Sequence, residues 1–429
     1  AKPPSVDPFV LLAPEIQYVR DTLLNLLGSS HPSLSEIASY YFGLGGKQLR
    51  PLLVLLFAGA TNGFGSTYAE RLVARQNASS GSLRNELDVT LTSPYILNDW
   101  NPRMPDYTSS FSEPFAIPSL QGPSTFAPST SSFLASSDPS SSSPSPSTIP
   151  LPSTISSNIL PTQLRLAQIS EMIHVASLLH DDVLDEAATR RGAPSGPTAF
   201  GNKLSVLGGD FLLGRTSAAL SRLGDHEVVE LMSTIIANLI EGEIMQMRTS
   251  SSTSSMGSVH GSDVWTTYIR KSYFKTASLM AKSARASVVL GGATTPGNPV
   301  DEELKDVAYA YGRNIGIAFQ LVDDALDFSP SSELGKPGFG ADLKLGLATA
   351  PTLFAWEEYP EMGPLINRRF KGEGDVDKAR NMVLNSNALA RTRDLARDYS
   401  NKALEALDRL PPTTSKQALE NLAAKVVDR

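Results

Sequence analysis

The sequence predicts an all-α, single-domain helical bundle, and three observations predict it. Apolar residues recur at helical spacing along most of the chain. No stretch alternates convincingly with period two, so no sheet is expected. The 429 residues, 41% of them hydrophobic, suffice for one large core, although that length would also admit two or three smaller domains.

In chain order, residues 1–76 read as the first helices of this domain. They include the apolar run 52–60, far short of the roughly 20 residues needed to cross a bilayer. Residues 77–158 then turn to Ser, Pro and Thr, as in PSTSSFLASSDPSSSSPSPSTIP. Such a composition cannot bury enough apolar surface to offset its ordering entropy, so a disordered insertion is expected there. Residues 159–429 read as the remainder of the same domain. After Pro161, with Thr162 as a candidate cap, Ile169, Met172, Ile173, Ala176 and Leu179 fall near helical spacing. Further helices are expected over 204–223, 228–247, 268–290, 302–328 and 387–410, with a flexible Ser-rich loop at 249–261. Ala1 stands where an initiator Met is expected, so a preceding segment that would carry any targeting signal is an expectation, and the chain's compartment is not read directly from these residues.

Composition narrows the chemistry. Without a single Cys the chain has no disulfide, thiolate metal site or cysteine nucleophile, so any metal must rest on oxygen or imidazole. A formal charge of −7, from 44 acidic and 37 basic side chains, leaves no broad footprint for nucleic acid.

Against that background Asp-Asp-x-x-Asp occurs twice: Asp181, Asp182 and Asp185 in HDDVLDE, and Asp323, Asp324 and Asp327 in QLVDDALDF. Positions i and i+4 share a helix face, so each copy gathers carboxylates that repel one another unless a cation lies on them. Oxygen-only donors suit Mg²⁺, which keeps several waters and binds through one or two carboxylates plus substrate phosphates. Apolar residues crowd both copies, poor company for a merely solvated face. Two such clusters point to two walls of one phosphate site.

The neighbouring residues fit that reading. His174, Ser177, Asp181 and Asp185 fall at i, i+3, i+7 and i+11 of one helix, a polar stripe followed by Arg190-Arg191-Gly192, whose planar forks suit phosphate oxygens. Gln320 precedes the second Asp cluster by three residues, and Lys336 and Lys344 follow it. Lys275 and Thr276 set a cation beside a hydroxyl. Gly45-Gly46-Lys47-Gln48-Leu49-Arg50-Pro51 opens the helix beginning at Leu52, an anion-binding arrangement but not a Walker loop.

Together these residues resemble the trans-polyprenyl diphosphate synthase family. GGKQLRP, EMIHVASLLHDDVLDEAATRRG, NKLSVLGGDFLL, KTASLM, and FQLVDDALDF followed by GKPGFGADLKLG occur in the family's order, over nearly the whole chain apart from the insertion and the Ser-rich loop. DPFVLLAPEI, LSEIASYYF and DLKLGLATAPTLFAWEE look most like the mitochondrial long-chain members that make the ubiquinone side chain, hexaprenyl to decaprenyl. The resemblance implies an isoprenoid-synthase-type helical bundle with a central cavity flanked by the two Asp motifs. It implies that Asp181, Asp185 and Asp323, with Asp182, Asp324 and Asp327 in support, hold Mg²⁺ against an allylic diphosphate such as farnesyl diphosphate. Arg190, Lys275, Thr276, Gln320 and Lys336 would contact that diphosphate or its surroundings, and Lys47, Arg50, His174 and Arg191 would hold isopentenyl diphosphate. A homodimer in peripheral association with the mitochondrial inner membrane is implied in the same way. The family's GKxTLP lysine is missing, since Leu347 occupies its place in GLATAP.

Ala176, five residues before Asp181, lies more than a helical turn deeper along the helix at ~1.5 Å per residue. With Ser177 beside it, this small residue leaves room for a long product. The competing readings are a shorter-chain synthase, a class I terpene cyclase, a catalytically silent subunit of a heteromeric synthase and a metal-dependent diphosphate hydrolase. A cyclase normally carries an Asn/Ser/Glu second motif, silent subunits usually lose Asp or Arg, and no water-activating site is visible.

Overall fold

The structure, a computed structural model, describes residues 6–27, 32–46, 48–78, 87, 156, 158–249, 262–329 and 340–429. Most of the insertion, the loop 250–261, Lys47 and Lys336 lie outside the described residues.

The described chain is helical almost throughout, as its periodicity predicts. α1 (Pro8–Leu11), α2 (Ala13–Leu27), α3 (Pro32–Gly43), α4 (Leu49–Thr61) and α5 (Tyr68–Ala78) come first. After the insertion come α6 (Pro161–Leu184), α7 (Gly196–Phe200), α8 (Asn202–Ser221), α9 (His226–Thr249) and α10 (Ser262–Ser272). A single π-helical turn, Tyr273–Ala277, leads into α11 (Ser278–Leu290) and then α12 (Pro299–Leu326). α13 (Ala341–Lys344), α14 (Ala350–Glu358), α15 (Met362–Asn367), α16 (Asp375–Asn385), α17 (Ala388–Leu407) and α18 (Thr414–Val427) complete the described order.

α4 sits at the centre because it is apolar all round. Leu52, Leu53, Val54, Leu55, Leu56, Phe57 and Ala58 are all fully buried, against α6, α11 and α18. Each large side chain there contributes about 1.5–3 kcal/mol by leaving water. The main core joins these residues to Ile169, Met172, Ile173 and Ala176 of α6, so residues from both sides of the insertion share one apolar interior. A second cluster gathers Tyr268, Leu321, Phe328, Phe354 and Trp356 around the C-terminal end of α12. Close approach of α12 to the π turn and to α11 depends on glycine: a Cβ on Gly316 would stand 2.6 Å from Ala277 Cα in the turn, and one on Gly312 would stand 2.7 Å from Ala281 Cα in α11. No described helix is long and apolar enough to cross a membrane.

Three local expectations need correction. A sheet exists, though only as the two-residue strands β1 (Thr189–Arg190) and β2 (Ala193–Pro194), too short to show any alternation. Its turn residues Arg191 (φ 51°) and Gly192 (φ 80°) are both left-handed, as the tightest hairpins require. α6 is capped at Leu160 rather than Thr162: Gln163 Oε1 accepts from the Leu160 N–H at 3.0 Å. The helix expected from Leu52 starts at Leu49, so Arg50 and Pro51 belong to its first turn.

Candidate active site

α6 and α12 each carry one Asp motif at their C-terminal ends, and the motifs present different numbers of carboxylates. In the first, Asp181 and Asp185 are partly exposed, while Asp182 is fully buried. Asp182 Oδ2 accepts from the Tyr41 hydroxyl at 2.6 Å and Oδ1 from Arg190 Nε at 2.8 Å. In the second motif only Asp323 is partly exposed. Asp324 accepts from the Tyr268 hydroxyl at 2.6 Å and from Gln320 Nε2 at 2.8 Å. Asp327 accepts from the backbone N–H groups of Ala341 and Asp342, both at 3.1 Å, and so ties the motif to the start of α13.

Cationic side chains lie between these carboxylates. Burial pushes Asp181 up to about 7; Lys275 opposes the shift, and Glu243 and Asp185 add to it. Burial likewise raises Asp185. Lys275 pairs with Glu243 Oε2 at 2.5 Å and donates to Gln246 Oε1 at 3.1 Å. Thr276 Oγ1 donates to Gln320 Oε1 at 2.7 Å, which links the π turn to the second motif. A π turn is a frequent mark of a functional position, because it rotates side chains out of the regular helical register. One turn before Lys275, Lys271 is depressed by burial and sensed by Asp324, Asp342 and Glu243. Lys275 and Lys271 thus stand electrostatically between the two motifs.

A second cationic group forms beside them. Arg191 donates to the carbonyl of Gly45, and Gly46 leaves room for it: a Cβ there would lie 2.7 Å from Arg191 Nη1. Burial depresses Arg50, while Glu171 and Asp323 support its charge and Arg191 opposes it. Arg50 Nε is buried without a hydrogen-bond partner, a donor short of an acceptor. His174 is held well below its ordinary range by burial and by Arg50, Arg191 and Arg190, so its imidazole is neutral at physiological pH. Burial raises Glu171, and the same two guanidinium groups, Arg50 and Arg191, oppose the rise. A pocket lined by Gly45, Gly46, Gln48, Glu171, Arg191 and Phe42 opens at this group.

The structure therefore brings Arg50, His174 and Arg191 together, and Asp181 and Asp185 with Lys275. Gln320 and Thr276 join the second motif. Ala176 is fully buried, and the Ser177 hydroxyl returns to the His174 carbonyl at 2.8 Å. Lys344 is exposed on α13. Sequence reasoning missed Tyr41, Glu171, Glu243, Tyr268, Lys271 and Arg429, whose Nη1 stands 3.6 Å from Asp323 Oδ1. Glu171 and Lys271 had a local signal, lying three residues before His174 and four before Lys275 on the same helical faces.

Among the described residues no group of three His, Cys, Asp or Glu side chains could hold a metal unaided. The donor set suits Mg²⁺ nonetheless: crowded carboxylates raised by burial, with phosphate and water oxygens left to complete the shell.

The fold and this pairing of acidic helix ends across a cationic centre define a diphosphate-handling helical enzyme. The polyprenyl synthetase family model matches residues 151–383, and the chain belongs to that family. It is 44% identical over 427 residues to a probable mitochondrial hexaprenyl pyrophosphate synthase of Neurospora crassa, covering 99% of this chain and 82% of the relative. It is 40% identical over 466 residues to the mitochondrial hexaprenyl pyrophosphate synthase of Saccharomyces cerevisiae, covering 99% and 90%. A polyprenyl synthase of Caulobacter crescentus, crystallised with calcium and isoprenyl diphosphate, superposes with a TM-score of 0.67 at 26% identity, covering 98% of this chain and 97% of that one.

Proposed function

We propose that this chain is a long-chain trans-polyprenyl diphosphate synthase of the mitochondrion. It adds isopentenyl diphosphate units head-to-tail to an allylic diphosphate such as farnesyl diphosphate, making the precursor of the ubiquinone side chain. The observation that carries the reading is a cationic segment that serves both acidic motifs: Lys275 acts on Asp181 and Asp185, and the adjoining Thr276 is hydrogen-bonded to Gln320 beside the second motif.

In the proposed reaction Arg190 and Lys275, with Thr276 and Gln320 near them, bind the allylic diphosphate between the motifs. Lys336 is assigned the same task on sequence alone. Arg50, Arg191, neutral His174 and Lys47 hold isopentenyl diphosphate, and the unmatched Arg50 Nε supplies a donor for it. Asp181, Asp185 and Asp323 would hold Mg²⁺, which would supply charge neutralisation for the departing pyrophosphate. The cationic side chains stabilise that same charge, and this electrostatic contribution dominates, with positioning second. The allylic cation is attacked by the double bond of isopentenyl diphosphate, and loss of a proton to the released pyrophosphate leaves a chain one unit longer.

Ala176 and Ser177 are assigned to product length, with six to ten units expected. The core shared by α4 and α6 supports one synthase domain assembled from 1–76 and 159–429. Exposed Val206 and Leu207 on α8, with Ile240, Ile244 and Met247 on α9, support a second copy of the chain as partner, which sedimentation analysis would detect. Incubation with farnesyl diphosphate, isopentenyl diphosphate and Mg²⁺, followed by sizing of the products, tests the whole reading. Elongation to at least hexaprenyl length is expected; no elongation, or release of a cyclic hydrocarbon, would overturn it.

A further inference from the structure

The two Asp motifs share a construction that their sequences do not reveal. In each, the middle carboxylate is turned into the protein and clamped by one tyrosine hydroxyl and one further side chain. Tyr41 on α3 lies 141 residues from Asp182, and Tyr268 on α10 lies 56 residues from Asp324. Both phenols are themselves buried, at 3% and 4% exposure, so neither reaches a substrate in the open site. The Tyr41 oxygen also accepts from the Gly196 N–H at 2.7 Å, which fixes the hydroxyl relative to α7. The other donor in each clamp has been assigned to the diphosphate: Arg190 on Asp182, and Gln320 on Asp324.

We infer that Tyr41 and Tyr268 are positioning residues, which lock the middle aspartates so that Asp181, Asp185 and Asp323 stay aimed at the metal-diphosphate complex. This rests on the reading of those three carboxylates as metal-binding. The physical ground is rotational. Adjacent residues on a helix point about 100° apart, so fixing Asp182 and Asp324 in the interior fixes the rotation at which their neighbours leave the helix. The clamp also reaches the substrate side, because the carboxylate held by the phenol is the one that orients Arg190 or Gln320. Two copies of one solution, built from unrelated helices, argue for a shared task.

Partners of this kind typically govern metal affinity by roughly 10–100-fold. The test uses the full chain with Tyr41→Phe and Tyr268→Phe, which keep the rings and remove only the hydroxyls. Tyr311→Phe is the control: its buried hydroxyl donates to the Leu419 carbonyl at 2.7 Å, away from both motifs. Binding of Mn²⁺ in the presence of inorganic pyrophosphate is followed by electron paramagnetic resonance, and Tm is recorded for every variant. Mn²⁺ uptake is expected to weaken roughly tenfold or more in the two motif variants. The control should lose only stability. Tyr41→Phe made in an Asp182→Ala background should add little further loss, since that background leaves the hydroxyl no carboxylate to hold. Unchanged uptake in both motif variants, a loss matched by Tyr311→Phe, or fully additive loss in the double variant would overturn the inference alone. Failure of the wild-type chain to take up Mn²⁺ with pyrophosphate would overturn the metal reading, and this inference with it.

Discussion

The first Asp motif offers two carboxylates to the site, and the second offers one. The difference lies in where the third carboxylate goes. At the end of α6 the chain continues into a tight hairpin, which the motif holds through Asp182 on Arg190 and not through its third carboxylate, so Asp185 stays partly exposed. At the end of α12 it must start α13, and Asp327 is drawn down onto two backbone N–H groups of that turn. Identical spacing in sequence therefore yields unequal chemistry, because the demands of the next element are met from the motif itself. The second motif is compensated by other chains of contact: Gln320 through Thr276 to the π turn, and Arg429 beside Asp323.

Substitution at the exposed carboxylates should break the comparison most strongly. Asp181→Asn and Asp323→Asn are each expected to lower kcat by about 10²–10³-fold in assays of isopentenyl diphosphate incorporation, the scale for losing one preorganised electrostatic partner. Asp327→Asn should cost far less activity than Asp185→Asn; equal losses would mean that the two motifs act alike. Next in size, Arg50→Ala should raise KM for isopentenyl diphosphate by roughly 10–100-fold, from about 1.5–3 kcal/mol of lost charge-assisted hydrogen bonding. The allylic KM should move much less, and a change confined to the allylic substrate would reverse the assignment of the two sites.

A smaller effect separates the motifs by pH. Asp181 is raised to about 7 by burial, and Lys275 opposes the rise, so its folded value exceeds its unfolded one and the carboxyl holds its proton below that pH. Metal must displace that proton. The Mg²⁺ concentration giving half-maximal activity should therefore rise as pH falls from 8 to 6, with the wild type steeper than Asp181→Asn measured at higher enzyme concentration. A flat response would remove Asp181 from the metal. The subtlest change alters the product and leaves the rate largely intact: Ala176→Phe should shorten the polyprenyl chain seen by reversed-phase chromatography, whereas an unchanged length would leave Ala176 as packing alone.

How much of this was legible depends on whether its cause is local. The helices of 161–184 and 299–326 were readable because the 3.6-residue period writes burial into the sequence, and the motifs were readable because clustered carboxylates among leucines need a reason. The clamps of Tyr41 and Tyr268 were not: each is one tyrosine on an ordinary helix, and its partner is set by how distant helices pack. The hairpin turn hides for a different cause, since Arg191 adopts a left-handed backbone that its residue type does not announce. Asp182 and Asp327 read as equals of their neighbours because spacing alone does not say which carboxylate a distant tyrosine or a backbone turn will claim.

The joint around the insertion has a practical use. The Asn158 carbonyl is held at 2.5 Å by Asn62 Nδ2, just past α4, and the Leu87 carbonyl accepts from Arg165 near the start of α6, so both flanks are tied to core helices. With those anchors fixed, closing a longer connection between them costs only about 0.6 kcal/mol for each doubling of its length. The joint thus behaves as a port: reporters, affinity handles or whole folded modules could be spliced there, with the helices that build the catalytic centre left untouched.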